Sequence, residues 1–177
     1  MKVYVDTQPE GPFRQSNNQQ NIVERLIGPV SGTKRNITFD NWFTSYPLMI
    51  NLLQTYHLTS FGIVRKKKRQ IPTALLNTRG REICISKFAF KEDVTAVSYA
   101  QKKSKNVILF STLHHDDTII EETGEKKFPE IIDFYNSTKG GVDTLDELSA
   151  NYSVLRNSRR WILTLFFSFL NTAGVNA

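Results

Sequence analysis

Three aspartates and two basic clusters are the residues of this 177-residue chain whose types and spacing could do chemistry. Asp40 closes the segment Asn36-Ile37-Thr38-Phe39. There Ile37 and Phe39 alternate with Thr38 and Asp40, the two-residue period of a strand buried on one face, so Asp40 falls where the strand ends. In sheets with helices on their faces, that rim is where the chemistry usually sits. Asp143 and Asp146 are three residues apart, and a helix would hold both on one face. A carboxylate on a strand tip facing two on a helix can hold divalent metal ions for phosphoryl transfer. Magnesium takes oxygen ligands, and two such ions about 3.5–4 Å apart can activate a nucleophile and stabilise a leaving oxygen. Arg65, Lys66, Lys67, Lys68 and Arg69 form an unbroken basic run, and Lys102, Lys103 and Lys105 form a second cluster. Such runs are most often solvated loops, and otherwise contact phosphate or direct nuclear import. The carboxylates also have a plainer reading. Asp143, Asp146 and Glu147 would each gain roughly 0.3–1 kcal/mol from the dipole near a helix start, and Asp40 could simply bond its own backbone in a turn.

The elements that must position these residues follow from the apolar pattern. Asn17 or Asn18 can cap a helix with Ile22, Val23, Leu26 and Ile27 on one stripe, ended by Gly28-Pro29. After the Asp40 strand, Thr44 or Ser45 caps a second helix with Pro47 in its first turn, where a missing N–H costs nothing. Leu48, Met49, Leu52, Leu53 and Tyr56 line its buried side. Residues 58–64 read as a further strand that delivers the basic run to the sheet edge. From about Gly80 to Leu113 the pattern changes to short strands at 82–85, 87–90, 95–99 and 107–111, separated by polar turns. His114, His115, Asp116 and Asp117 read as a charged turn rather than a metal site. Pro129 starts a helix through Tyr135, Gly140-Gly141 breaks it, and a new helix runs from about Val142 to Tyr152. Arg156, Arg159 and Arg160 precede the apolar stretch 161–170. That stretch falls well short of the roughly 20 residues needed to span hydrocarbon and reads as a buried core helix, with no membrane partner implied.

Composition narrows the class. The formal charge is +6, with 40% hydrophobic and 23% charged residues, ordinary for a globular protein. Cys84 is the single cysteine, which excludes a disulfide framework and a multi-cysteine zinc site.

Five blocks, taken in order, resemble the catalytic domain of the piggyBac transposase family. They are residues 8–12 (Gln8-Pro9-Glu10-Gly11-Pro12), 36–45, 65–72, 139–146 and Arg159-Arg160-Trp161. Any one alone is common, but five in family order are specific. The resemblance implies an α/β fold: an RNase H-like DDE transposase core, truncated so that it lacks its first strands, with a β-rich insertion. Residues 1–79 would be the first part of the core from its third strand onward, 80–128 the insertion, and 129–177 the C-terminal helices. Residues 1–5 would be that third strand. Asp40 matches the second family aspartate, Asp143 the third, and Asp146 the additional one a helical turn later, giving all three a catalytic and metal-binding role with Mg2+. Asp6 does not match the family's first aspartate. The resemblance further implies duplex DNA as partner (transposon ends and a TTAA target), a homodimer, and a nuclear location. Arg65 to Arg69, Arg156, Arg159 and Arg160 would contact DNA. As a partial catalytic domain without the first aspartate, the chain is expected to lack activity alone. The alternative is a host-retained, non-catalytic module that binds DNA or a nuclear partner.

Overall fold

A computed structural model describes residues 10–12 and 14–177, so the expected strand at residues 1–5 lies outside the described residues. The chain divides into two units: Pro12–Thr138, and a second that contains Lys139–Ala177.

The first unit is built on a five-stranded sheet. Its strands are β1 (Asn36–Phe39), β2 (Thr59–Ile63), β3 (Ser86–Lys91), β4 (Val94–Lys102) and β5 (Lys105–Ser111), in the order β1-β2-β5-β4-β3. β1 and β2 are parallel, and every other pair is antiparallel. A parallel pair needs a crossover, supplied here by helix α2 (Tyr46–Tyr56). Ser45 is its N-cap residue and Pro47 lies in its first turn. His57 ends it in the left-handed region (φ 53°), and the Leu58 N–H then returns to the Leu52 carbonyl at 3.0 Å.

The core lies on both faces of the sheet, because successive side chains of a strand point to opposite sides. On one face Met49 of α2 meets Val94, Ala96, Ile108 and Phe110, together with Leu75 of the short helix α3 (Thr73–Leu76). Beside it, Leu48 and Leu52 pack with Phe39, Leu58 and with Val23 of α1 (Gln19–Leu26). Asn18 caps α1, its Oδ1 accepting the Gln20 N–H at 3.1 Å. On the other face Val97, Tyr99 and Leu109 cover Ile131 and Ile132 of α4 (Glu130–Thr138), and the Phe61 ring lies against Phe134 and Tyr135. Burial of Phe61, Leu48, Met49 and Leu52 is complete; each such side chain contributes about 1.5–3 kcal/mol.

The expected strand at 82–85 is not formed. Cys84 sits at φ 65°, in the left-handed region, and turns the chain there. The Cys84 N–H still donates to the Ala100 carbonyl at 2.8 Å, so the segment follows the edge of β4 as a turn.

The second unit pairs α5 (Gly141–Asn151) with α6 (Trp161–Val175). Asn171 joins them: its Oδ1 accepts the Val154 N–H at 2.8 Å and its Nδ2 donates to Ser153 Oγ at 3.1 Å. Leu148, Tyr152, Val154, Leu170 and Gly174 line a cleft of about 380 Å³ between the two helices. The buried core helix expected at 161–170 is instead largely open. Trp161 is 70% exposed, and Ile162 and Phe166 are exposed as well. An all-round apolar helix needs cover on every side, and α5 supplies it on one. Among the described residues, no helix is long and apolar enough to cross a membrane.

Candidate functional site

Asp40 stands at the C-terminal end of β1, exposed, as the strand pattern requires. Its carboxylate shapes the turn that follows: Oδ1 accepts the backbone N–H of Trp42 at 2.9 Å and of Phe43 at 3.3 Å. The plainer reading of Asp40 therefore holds for one oxygen. Oδ2 has no hydrogen-bond partner among the described residues and faces solvent on an exposed side chain. The Asp40 carbonyl is held in turn by the Thr44 N–H at 3.2 Å and the Thr44 hydroxyl at 2.6 Å. Thr44 is fully buried, so this clamp belongs to the core.

The clamp depends on Gly62, which pairs with Phe39 across the parallel ladder. A Cβ there would overlap the Phe39 carbonyl oxygen and lie 2.5 Å from Thr44 Oγ1. Glycine inside a strand marks this kind of close backbone approach. It is the one signal in the sequence for the clamp, and reading it needs the register.

Because β1 and β2 are parallel, Asp40 and the basic run leave the sheet at the same end. Arg65 Nε donates to Asn41 Oδ1 at 3.0 Å, fixing the first basic residue against the neighbour of Asp40. A turn follows, with the Lys68 N–H on the Arg65 carbonyl at 3.0 Å. Arg65, Lys66, Lys67 and Arg69 are exposed, and Lys68 is half-buried.

Asp143 and Asp146 belong to the second unit, exposed on the first turns of α5 at the helical spacing expected. That helix begins without a side-chain cap at Gly140, and Asp143 sits in its first turn, where the helix dipole favours an acid. Arg156, Arg159 and Arg160 are exposed on the segment leading into α6, with the Arg160 N–H on Ser158 Oγ at 3.1 Å. Within neither unit do three or more His, Cys, Asp or Glu side chains converge among the described residues. His114, from the expected charged turn, is buried: its Nδ1 lies 2.8 Å from Ser111 Oγ and its ring stands edge-on to Phe61 and Phe134.

An exposed carboxylate at a parallel strand end, beside a fixed basic loop, suits a protein that handles phosphodiesters. The sequence matches the family described as transposase IS4 over residues 1–177. The cryo-EM structure of a piggyBac transposase synaptic complex with hairpin DNA superposes with a TM-score of 0.85 at 44% identity. The match covers 94% of this chain and 35% of that one, so the chain spans about a third of the relative's length. The chain belongs to the IS4 transposase family as a piggyBac-like transposase domain. The resemblance carried by its five sequence blocks is borne out, as is the mixed α/β class.

Proposed function

We propose that these residues are part of the catalytic domain of a piggyBac-like cut-and-paste DNA transposase, with Asp40, Asp143 and Asp146 as its metal-binding carboxylates. The observation that carries this reading is the parallel β1–α2–β2 unit. It brings Asp40 and the basic loop from Arg65 to Arg69 to one end of the sheet. The sheet is read as RNase H-like, with residues 1–79 and 129–177 as parts of the core and 80–128 as an insertion. The donors suit a hard cation: the free oxygen of Asp40, and two exposed carboxylates one helical turn apart. When bound, magnesium would supply charge to polarise a phosphoryl oxygen. The chain's own part is positioning. The Thr44 clamp fixes the Asp40 backbone, and the basic loop holds duplex DNA by its phosphates. Homodimer formation on DNA ends and a nuclear location belong to the same reading.

The 177 residues alone carry no strand-cleaving activity in this reading. In neither unit do three acidic ligands converge among the described residues, and one oxygen of Asp40 is committed to its turn. The test is a chimera in which this chain replaces the matching segment of the piggyBac transposase. The chimera is expected to cleave transposon-end DNA and form hairpin ends, the isolated chain to do neither, and Asp40→Asn in the chimera to abolish cleavage. Cleavage that survives Asp40→Asn would remove Asp40 from the catalytic set.

A further inference from the structure

The sheet of the first unit is electrically polarised along its strands. At the end where β1 and β2 finish lie Asp40 and the basic run. The tip of the β4–β5 hairpin lies at that end too, because β5 starts and β4 stops there. The register shows how close in level they are. Ile63 pairs with Leu109 and the Val64 N–H reaches the Ile108 carbonyl at 2.8 Å. Arg65 therefore leaves the sheet beside the first residues of β5. At a rise of about 3.3 Å per residue, the hairpin tip stands roughly two residues, ~7 Å, beyond it. At the opposite end stand Glu92 and Asp93, which join β3 to β4, and Asp116 and Asp117 beyond β5, with Lys34, Arg35 and Lys91 among them, all exposed.

The tip itself is built against its own stability. Lys102 pairs directly with Lys105 across the ladder, and Lys103 and Ser104 close the turn, Ser104 at φ 61°. Like charges directly opposite each other destabilise a hairpin. All three lysines are exposed. At the other end, Lys91 lies over the Tyr46 ring at 5.0 Å, so a cation there has a ring to face. A register shift between Ala100 and Lys102 marks a bulge just below the tip. Bulges re-aim the residues beyond them. Asp40, after β1, and Glu82, before β3, lie at this end of the sheet, and the acidic segment Glu121–Lys126 approaches it through the Lys126 carbonyl, which accepts the Tyr99 hydroxyl at 2.7 Å.

We propose that Lys102, Lys103 and Lys105 form a second phosphate-contacting element, which with Arg65 to Arg69 makes one strip for the backbone of duplex DNA across the sheet end that carries Asp40. This rests on the DNA-binding part of the function proposed above. An unrelieved like-charge pair persists at a cost, and a polyanion laid across it turns that repulsion into attraction.

The experiment measures binding of a labelled duplex of arbitrary sequence to the whole chain by fluorescence anisotropy, from about 50 to 200 mM salt. Three variants are compared with the unaltered chain: K102A/K103A/K105A at the tip, K66A/K67A/K68A in the basic run, and K34A/K91A at the acidic end. Each phosphate that a variant no longer neutralises flattens the slope of log K against log salt by about 0.9. The tip variant is expected to flatten it by up to ~2.7 and to weaken binding at least tenfold at moderate salt. Its thermal midpoint should rise, because the Lys102–Lys105 repulsion is gone. A merely solvated hairpin would give that rise without any loss of affinity. A tip variant that binds like K34A/K91A, while K66A/K67A/K68A binds weakly, overturns this proposal and leaves the DNA reading standing. An unaltered chain without salt-dependent duplex binding overturns both.

Discussion

Gly62 faces Phe39 across the parallel ladder so closely that a methyl group in place of its hydrogen would overlap the Phe39 carbonyl oxygen. The same methyl would stand 2.5 Å from the hydroxyl of Thr44, which holds the Asp40 carbonyl. A residue with no chemistry of its own thus sets where the exposed carboxylate sits. Gly62→Ala must push β1, β2 or Thr44 aside, and the expected cost is about 1–3 kcal/mol, as for other overpacked cores. Equilibrium urea unfolding checks it, and an unchanged midpoint would show that β1 yields freely.

Asp40 has two separable duties, and two substitutions divide them. Asp40→Ala leaves the N–H groups of Trp42 and Phe43 without their acceptor. It is expected to cost about 0.5–2 kcal/mol, the range for losing a comparable side-chain cap. Asp40→Asn keeps an oxygen for both donors and should unfold within about 0.5 kcal/mol of the unaltered chain, as surface substitutions do. Denaturant midpoints for the pair decide the point; equal losses in both would mean the charge, not the turn, stabilises this site.

Acid should destabilise the first unit through His114. The ring is buried against Phe61 and Phe134, and burial lowers its pKa below the ordinary 6.5. Glu130 and Asp116 act the other way, and His115 adds to the lowering. With the native value depressed, the unfolded chain takes up the proton first. The stability contribution is present above about pH 6.5 and is lost as pH falls through the native value. Thermal midpoints between about pH 7.5 and 5 should fall more steeply for the unaltered chain than for His114→Asn. Parallel curves would place the acid sensitivity elsewhere.

The open face of α6 has an optical signature. Trp42 and Trp161 are the two tryptophans, and Trp161 is 70% exposed. In a Trp42→Phe variant, emission should be red-shifted and strongly quenched by acrylamide. Replacing Ile162 and Phe166, both exposed, with Glu should raise solubility without lowering the thermal midpoint. A blue, shielded emission would mean that this face is covered in solution.

Much of the site is legible in the sequence because its signals are local. A two-residue period ends at Asp40, Ser45 and Pro47 announce α2, and Gly140-Gly141 separates α4 from an acidic helix start. What escapes depends on partners distant in the chain or on backbone angles. The bond from Arg65 to Asn41 and the collision latent at Gly62 exist only once β1 and β2 are in register. Residues 82–85 have strand-like composition, yet Cys84 adopts a left-handed conformation that composition does not encode. The exposure of α6 escapes because apolar content measures the need for cover, not its supply.

The mixed sheet also has a history in time. The antiparallel strands β3, β4 and β5 are joined by the short turns at Glu92-Asp93 and Lys103-Ser104, and hairpins of that kind close in about 1–10 μs. β1 reaches its register only after the whole of α2 has been looped back, matching Asn36 to Thr59, and its ladder is four residues long. Among the described residues β1 pairs with β2 alone, so the strand that presents Asp40 is the first to let go. Hydrogen exchange should reach its amides well before those of β4, so that the exposed carboxylate rides on the part of the sheet that opens most often.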